Sequence, residues 1–197
     1  MNEFDGRAVP SLHFPLARVL SPSVHDLSAI KSAIRDVPDF PKPGILFKDI
    51  TPVLGSGDLF RSVIDHMIES LEGQKIDKVA GIDARGFIFG AAIADRLGIG
   101  FVPIRKKGKL PWQTIESSYS LEYGEATVQV HKDAVTEGEK VILVDDLLAT
   151  GGTAAAAVKL LSDLGADLVD VIFFIELAAL EGRSKLGATS VTSLITY

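Results

Sequence analysis

The sequence predicts an α/β fold: a mostly parallel, twisted sheet with helices on both faces. Two observations carry that expectation. Runs such as VILV at 141–144 and VIFFI at 171–175 are continuously apolar, as strands buried on both faces are. Strand-like and helix-like stretches also alternate from residue 78 onward, the pattern of βαβ units.

Taken in order, residues 1–22 carry Pro10, Pro15 and Pro22 without a clear period and read as an arm or irregular extension. In SVHDLSAIKSAIRDV, Leu27, Ile30 and Ile34 share a helical stripe, with Ser23 as the expected N-cap. PDFPKPGILFKDITPVLGSG holds prolines at 38, 41, 43 and 52 and excludes a long helix. DLFRSVIDHMIESLEG places Leu59, Phe60, Val63, Ile64, Met67, Ile68 and Leu71 on one face, with Asp58 expected to cap it and Gly73 to end it. Strands are expected at 78–83, 100–105, 126–131, 140–146, 168–177 and 190–196, and helices at 86–98 and 152–165. Residues 106–124, polar and glycine-bearing, read as a loop.

Composition narrows the function classes. The 197 residues fit one domain, and 47% hydrophobic content is enough for a core. With no cysteine, disulfides and thiolate metal sites are excluded, and a cytoplasmic setting is compatible. Four scattered histidines form no HExxH pair. No apolar run approaches the ~18 residues of a membrane helix, and the first twenty residues do not read as a signal peptide. The formal net charge of −6 argues against a chain-wide basic footprint for nucleic acid and leaves a local basic patch open; no nucleic-acid partner is expected.

The candidate site is VILVDDLLATGGT, 141–153. In a parallel sheet, ligands sit beyond the carboxyl ends of the strands. Gly151 and Gly152 let the chain turn and expose N–H groups, and the following helix presents its positive end to the same place. No lysine follows the glycines, and no GxGxxG follows any strand, so the cradle suits a single phosphate. Asp145 and Asp146 are acceptors that suit a vicinal diol. A ribose 5-phosphate satisfies both halves. Taken alone, the glycine turn fits equally a close-packed strand–helix connection with an acidic pair at the surface.

The whole string resembles the signature of type I phosphoribosyltransferases, and DDLLATGGT looks like that of their adenine-using branch. Four further blocks extend the resemblance over about 24–197: PDFPKPGILFKDIT, GIDARGFIFG, VPIRKKGKLP and YSLEYG. It implies a hood at about 36–56 and a lid loop at about 105–124 within a domain spanning 23–197. The implied substrates are adenine and phosphoribosyl pyrophosphate, accompanied by Mg²⁺, in a cytoplasmic homodimer. Asp145 and Asp146 would hold the ribose hydroxyls, and Ala149, Thr150, Gly151, Gly152 and Thr153 the 5′-phosphate. Arg85, Arg105 and Lys109 would meet the leaving pyrophosphate, with Lys106 and Lys107 open. Arg85 could instead form a salt bridge to a neighbouring acid. The peptide near Asp83–Ala84 is expected to be cis. Glu122 would take the proton that leaves the base. Leu46, Phe47, Lys48 and Leu147 would contact adenine, although Phe47 could also be core and Lys48 stands where relatives often carry arginine. A ligand-sensing transcriptional regulator on the same fold is the competing class. It would need a basic, helical DNA-binding module, which the short, proline-interrupted N-terminal segment does not resemble.

Overall fold

The computed structural model describes residues 25–121 and 124–197. The elements run α1 (Leu27–Ala33), β1 (Arg35–Pro38), β2 (Leu46–Asp49), α2 (Thr51–Leu54), α3 (Gly57–Glu69), β3 (Lys78–Ile82), α4 (Arg85–Leu97) and β4 (Gly100–Lys106). They continue with β5 (Thr114–Leu121), β6 (Gly124–His131), β7 (Lys140–Leu148), α5 (Gly152–Asp163), β8 (Asp167–Glu176) and β9 (Val191–Thr196). Two 3₁₀ turns, Ala178–Leu180 and Gly182–Leu186, connect the last two strands.

Seven strands form one sheet in the order β5-β6-β4-β3-β7-β8-β9. From β4 to β9 every neighbouring pair is parallel, while β6 and β5 add antiparallel edges. Strand alternation divides the core. Val79, Ile142, Val144, Ile172 and Phe174 face a layer containing Ile30, Val63, Met67 and Phe89 from α1, α3 and α4. Ala80, Ile82, Leu143, Val171 and Phe173 face Ala157, Leu160 and Leu161 of α5. Helices therefore cover both faces, as expected.

Small residues bring α4 down onto the sheet. A Cβ at Gly90 would stand 2.9 Å from Phe101 and 3.5 Å from Val79. Phe89 fills the gap between helix and sheet, its ring 5.9 Å from that of Phe60 and 5.5 Å from that of Phe174.

Several local expectations change. The N-cap of α1 is Asp26, which accepts from Ala29 N at 2.8 Å; the expected cap, Ser23, and the arm at 1–22 lie outside the described residues. Ser56, not Asp58, caps α3, and Asp58 lies in its first turn. The helix stops at Glu69, before Gly73. The expected loop at 106–124 contains strand β5, in register with β6 from Thr114–His131 to Leu121–Gly124. Its polar composition hides an alternation: Ile115 and Tyr119 pack toward the α5-side core, while Glu116 and Ser118 face out. Within the segment expected to form a hood, β1 and β2 make a separate two-stranded ribbon, with Phe40–Pro41 cis in its turn.

Phe89→Ala leaves a large void between α4 and the sheet. Denaturant unfolding should show a loss of about 3–5 kcal/mol, and a loss below about 1 kcal/mol would mean that the helix does not rest on this ring.

Candidate functional site

Because β3 and β7 are adjacent and parallel, the chain segments leaving them emerge side by side. The Asp83–Ala84 peptide is cis, as expected, and Arg85 begins α4 directly after it. Gly86 permits the close approach of this helix start to β7: a Cβ there would stand 2.7 Å from Val144 O and 2.8 Å from Asp145 Oδ1.

Asp145 and Asp146 lie at the end of β7, and Asp146 is only 5% exposed. Asp146 N donates to Asp145 Oδ1 at 2.9 Å. Burial pushes the Asp145 carboxyl well above the usual carboxylate range, and the neighbouring Asp146 adds to the rise. Burial also raises Asp146, and Arg85 opposes that rise. Arg85 Nε reaches Asp146 Oδ2 at 2.7 Å, so the salt bridge weighed as an alternative for Arg85 is formed. The same guanidinium lies 5.5 Å from the centre of the Phe47 ring. Phe47 thus faces the strand ends and meets Phe40 edge-on at 5.1 Å.

Two adjoining cavities follow these groups. One, about 90 Å³, is lined by the expected cradle, Ala149, Thr150, Gly151, Gly152 and Thr153, together with Asp145 and Leu147. The other, about 360 Å³, has Asp83, Arg85, Lys106, Tyr119, Asp145, Asp146, Leu147 and Thr153 on its walls. Gly151 has φ +76° and precedes the first turn of α5, aiming that helix's N–H groups into the smaller cavity.

The sequence did not reveal what braces this cradle. A Cβ on Gly151 would collide with Gly182 O, and one on Gly182 would collide with Ala149 O. The Gly182 turn is fixed by its neighbour: Arg183 donates to Glu176 from Nε at 2.7 Å and from Nη2 at 2.7 Å. It also donates to Val191 O at 2.7 Å. Those bonds hold the Glu176 carboxyl below its ordinary range. No local pattern marks the pairing, because the partners come from different elements.

The basic loop is sorted differently from expectation. Lys106, left open, lines the larger cavity, whereas Lys109 is exposed and does not line it. Arg105 is drawn to Asp83 Oδ2 at 2.9 Å and to Lys109 O at 3.0 Å. Lys107 pairs with Glu116 at 2.8 Å. Lys48, expected to contact the base, is engaged away from the ribbon face that carries Phe47. Phe47 and Lys48 point to opposite faces of the ribbon by strand alternation, and the Lys48 ammonium lies 2.6 Å from Asp36. Leu46 is half exposed at the ribbon's edge. Glu122 lies outside the described residues; β5 ends at Leu121 and β6 begins at Gly124.

The largely parallel sheet thus gathers a glycine turn, an acidic pair and an arginine at its carboxyl edge. The family model described as "Phosphoribosyl transferase domain" matches residues 54–196. A curated adenine phosphoribosyltransferase of Mesorhizobium japonicum is 57% identical over 172 residues, 87% of this chain and 94% of the relative. Among solved structures, that of adenine phosphoribosyltransferase from Thermoanaerobacter pseudethanolicus matches with a TM-score of 0.85 and 53% identity, covering 87% of this chain and 99% of that one. The Saccharomyces cerevisiae enzyme, crystallised with adenine and an imino-altritol bisphosphate, matches with a TM-score of 0.82 and 43% identity, covering 85% and 97%. The chain belongs to the phosphoribosyltransferase family. Within that family it is an adenine phosphoribosyltransferase homologue.

The buried carboxyl gives a pH-dependent prediction. Because the folded state raises the Asp145 pKa, stability attributed to its protonated form is complete below the unfolded value and lost as pH rises through the folded one. Asp145→Asn mimics the protonated form and keeps an Oδ1 acceptor for Asp146 N. At pH 7.5 it should raise Tm by roughly 2–4 °C, with the gain disappearing near pH 3–4. Thermal melts across pH check this, and a lower Tm at both ends would contradict it.

Proposed function

We infer that this chain transfers the phosphoribosyl group of phosphoribosyl pyrophosphate to adenine, releasing AMP and pyrophosphate, as a purine-salvage enzyme. The observation that carries the reading is that the two cavities share Asp145, Leu147 and Thr153, which sets the glycine cradle beside the acidic pair and Arg85. The match to adenine phosphoribosyltransferases over most of the chain supports the same substrates.

In this mechanism the N–H groups and hydroxyls of Ala149–Thr153 hold the 5′-phosphate, and Asp145 and Asp146 accept from the 2′- and 3′-hydroxyls. The sugar is then fixed at both ends, with C1′ directed toward the larger cavity. Phe47 and Leu147 present apolar walls to the purine, and main-chain groups at Leu46 read its edge. N9 of adenine attacks C1′, the C1′–O bond breaks with inversion, and pyrophosphate leaves with the bonding pair. Arg85 and Lys106 meet the developing negative charge, with Arg105 and Lys109 joining from the neighbouring loop. Glu122 takes the proton displaced from the base. The β5–β6 hairpin serves as the lid that keeps water from an electron-deficient C1′.

Magnesium fits this site. Asp83, Asp145 and Asp146 supply hard oxygen donors on the cavity wall. Among the described residues no group of three or more such side chains converges on one point, so the ion would complete its shell with substrate oxygens. When bound, it would neutralise charge on the pyrophosphate. The working unit is read as a homodimer, as the family resemblance implies. A cytoplasmic setting accords with the cysteine-free chain, and no described helix is long and apolar enough to cross a membrane.

The direct test supplies adenine, hypoxanthine, guanine and xanthine in turn, each with phosphoribosyl pyrophosphate and Mg²⁺, and follows nucleotide formation. Selective AMP formation is expected. Preference for another base would overturn the hood assignment and keep the donor site. Tight, steeply salt-dependent DNA binding without turnover would favour the regulatory class.

Glu122→Gln should lower kcat by roughly 10² or more while leaving the KM for phosphoribosyl pyrophosphate nearly unchanged. An unaltered kcat would remove Glu122 from the mechanism.

A further inference from the structure

The β1–β2 ribbon belongs to a sheet of its own and shares no strand pairing with the seven-stranded sheet. Its placement over the strand ends therefore rests on its chain connections to α1 and α2, which enter the core through Ile34 and Ile50, and on side-chain contacts. One face of the ribbon carries Phe47 and Asp49. Thr51 lowers the Asp49 carboxyl pKa through two hydrogen bonds, with Arg35 and Arg85 adding to the effect. The other face carries Lys48, directly across from Asp36 in the strand register. The Lys48 ammonium is 2.6 Å from Asp36 Oδ1 and 3.8 Å from the centre of the Tyr197 ring. The Lys48 side chain is only 9% exposed while that of Asp36 is 53% exposed, so the lysine is packed although its carboxylate partner is not.

Tyr197 is itself fixed. Its N donates to Glu176 O at 2.9 Å, and its main-chain oxygen accepts from Ala178 N at 2.9 Å. Those bonds tie it to the end of β8, next to the Glu176–Arg183 brace of the phosphate cradle. A second lysine, Lys31 of α1, lies 4.4 Å from the same ring and donates to Thr196 O at 2.8 Å. The ring thus receives one cation from the ribbon and one from the helix leading into it. Desolvation by this packing also raises the Tyr197 phenol above its ordinary range.

We propose that Lys48 and Tyr197 form a latch that holds the base-covering ribbon at a fixed height over the sheet, making both of them positioning residues for the base. Phe47 precedes Lys48 by one residue and lies on the opposite face, so a shift of the latch moves the stacking wall. Apparent affinity for a ligand falls in proportion to the fraction of molecules in the competent arrangement. The latch should therefore act on the base and leave the donor untouched, because the donor is held by the strand ends. The proposal rests on the enzymatic reading above for its kinetic consequence, though not for its structural one.

Tyr197→Leu removes the quadrupole and retains an apolar side chain; Lys48→Met removes the cation and retains the stem. In the full chain with Mg²⁺, each should raise the KM for adenine roughly fivefold or more and leave that for phosphoribosyl pyrophosphate within about twofold. Tyr197→Phe, which keeps the ring, should retain the low adenine KM. Amide exchange supplies a readout that needs no turnover: amides of residues 35–49 should exchange faster in Tyr197→Leu, while those of β3 and β7 stay protected. Unchanged exchange in 35–49, or both KM values rising together, would overturn the latch. A wild-type chain that makes no AMP but shows the exchange difference would sink the enzymatic reading and keep the latch.

Discussion

The structure is organised around a costly arrangement, two adjacent carboxylates sunk at the end of a central strand. Buried charge is tolerated only when it is paired or protonated. Here Arg85 supplies the pairing for Asp146 at 2.7 Å, while Asp145 responds with a strongly raised pKa. Arg85 can do this only because α4 begins at that residue and Gly86 lets the helix start touch Asp145. The parallel pairing of β3 and β7 brings the two segments to the same level. Sheet order, helix start and one missing side chain therefore serve a single electrostatic requirement.

The cradle obeys a steric requirement instead. Gly151 needs both a positive φ and room beside Gly182, and the second condition is met by a turn more than twenty-five residues later. That turn is held by the fork of Arg183 on Glu176 and by its bond to Val191 O. The shape of the glycine turn is thus fixed from behind by an ion pair that does not line the cavity. Because Glu176 also accepts from Tyr197 N through its carbonyl, the brace and the ribbon latch share the end of one strand.

Much of this was legible beforehand. Continuous apolar runs located β7 and β8, and the glycine pair located the cradle, because both depend on local sequence. Asp145, Asp146, Leu147 and 149–153 do share adjoining cavities. What escaped depends on partners distant in sequence. Lys48 carries the right charge for a base contact, but strand alternation turns it to the back of the ribbon and Asp36 keeps it there. Lys106 and Lys109 are indistinguishable by type, yet only the former lines the cavity. Strand β5 looked like a loop because its polar residues are those expected of a solvent-facing edge, and only pairing with β6 gives its alternation meaning.

The pairing between Arg85 and Asp146 has a further consequence for the proposed reaction. On that reading each group is also claimed by the donor substrate, Asp146 by a ribose hydroxyl and Arg85 by pyrophosphate oxygen. Binding would then give Arg85 a phosphate partner and leave Asp146 a hydroxyl donor in place of its cation. The site is pre-organised without being electrostatically open. Phe47 gains from the same exchange. A guanidinium 5.5 Å from its ring already ties the stacking wall to the group that would meet the leaving pyrophosphate. On the proposed reading one side chain thus lies between base wall and leaving-group site, while the Lys48–Tyr197 contact sits on the opposite face of the ribbon.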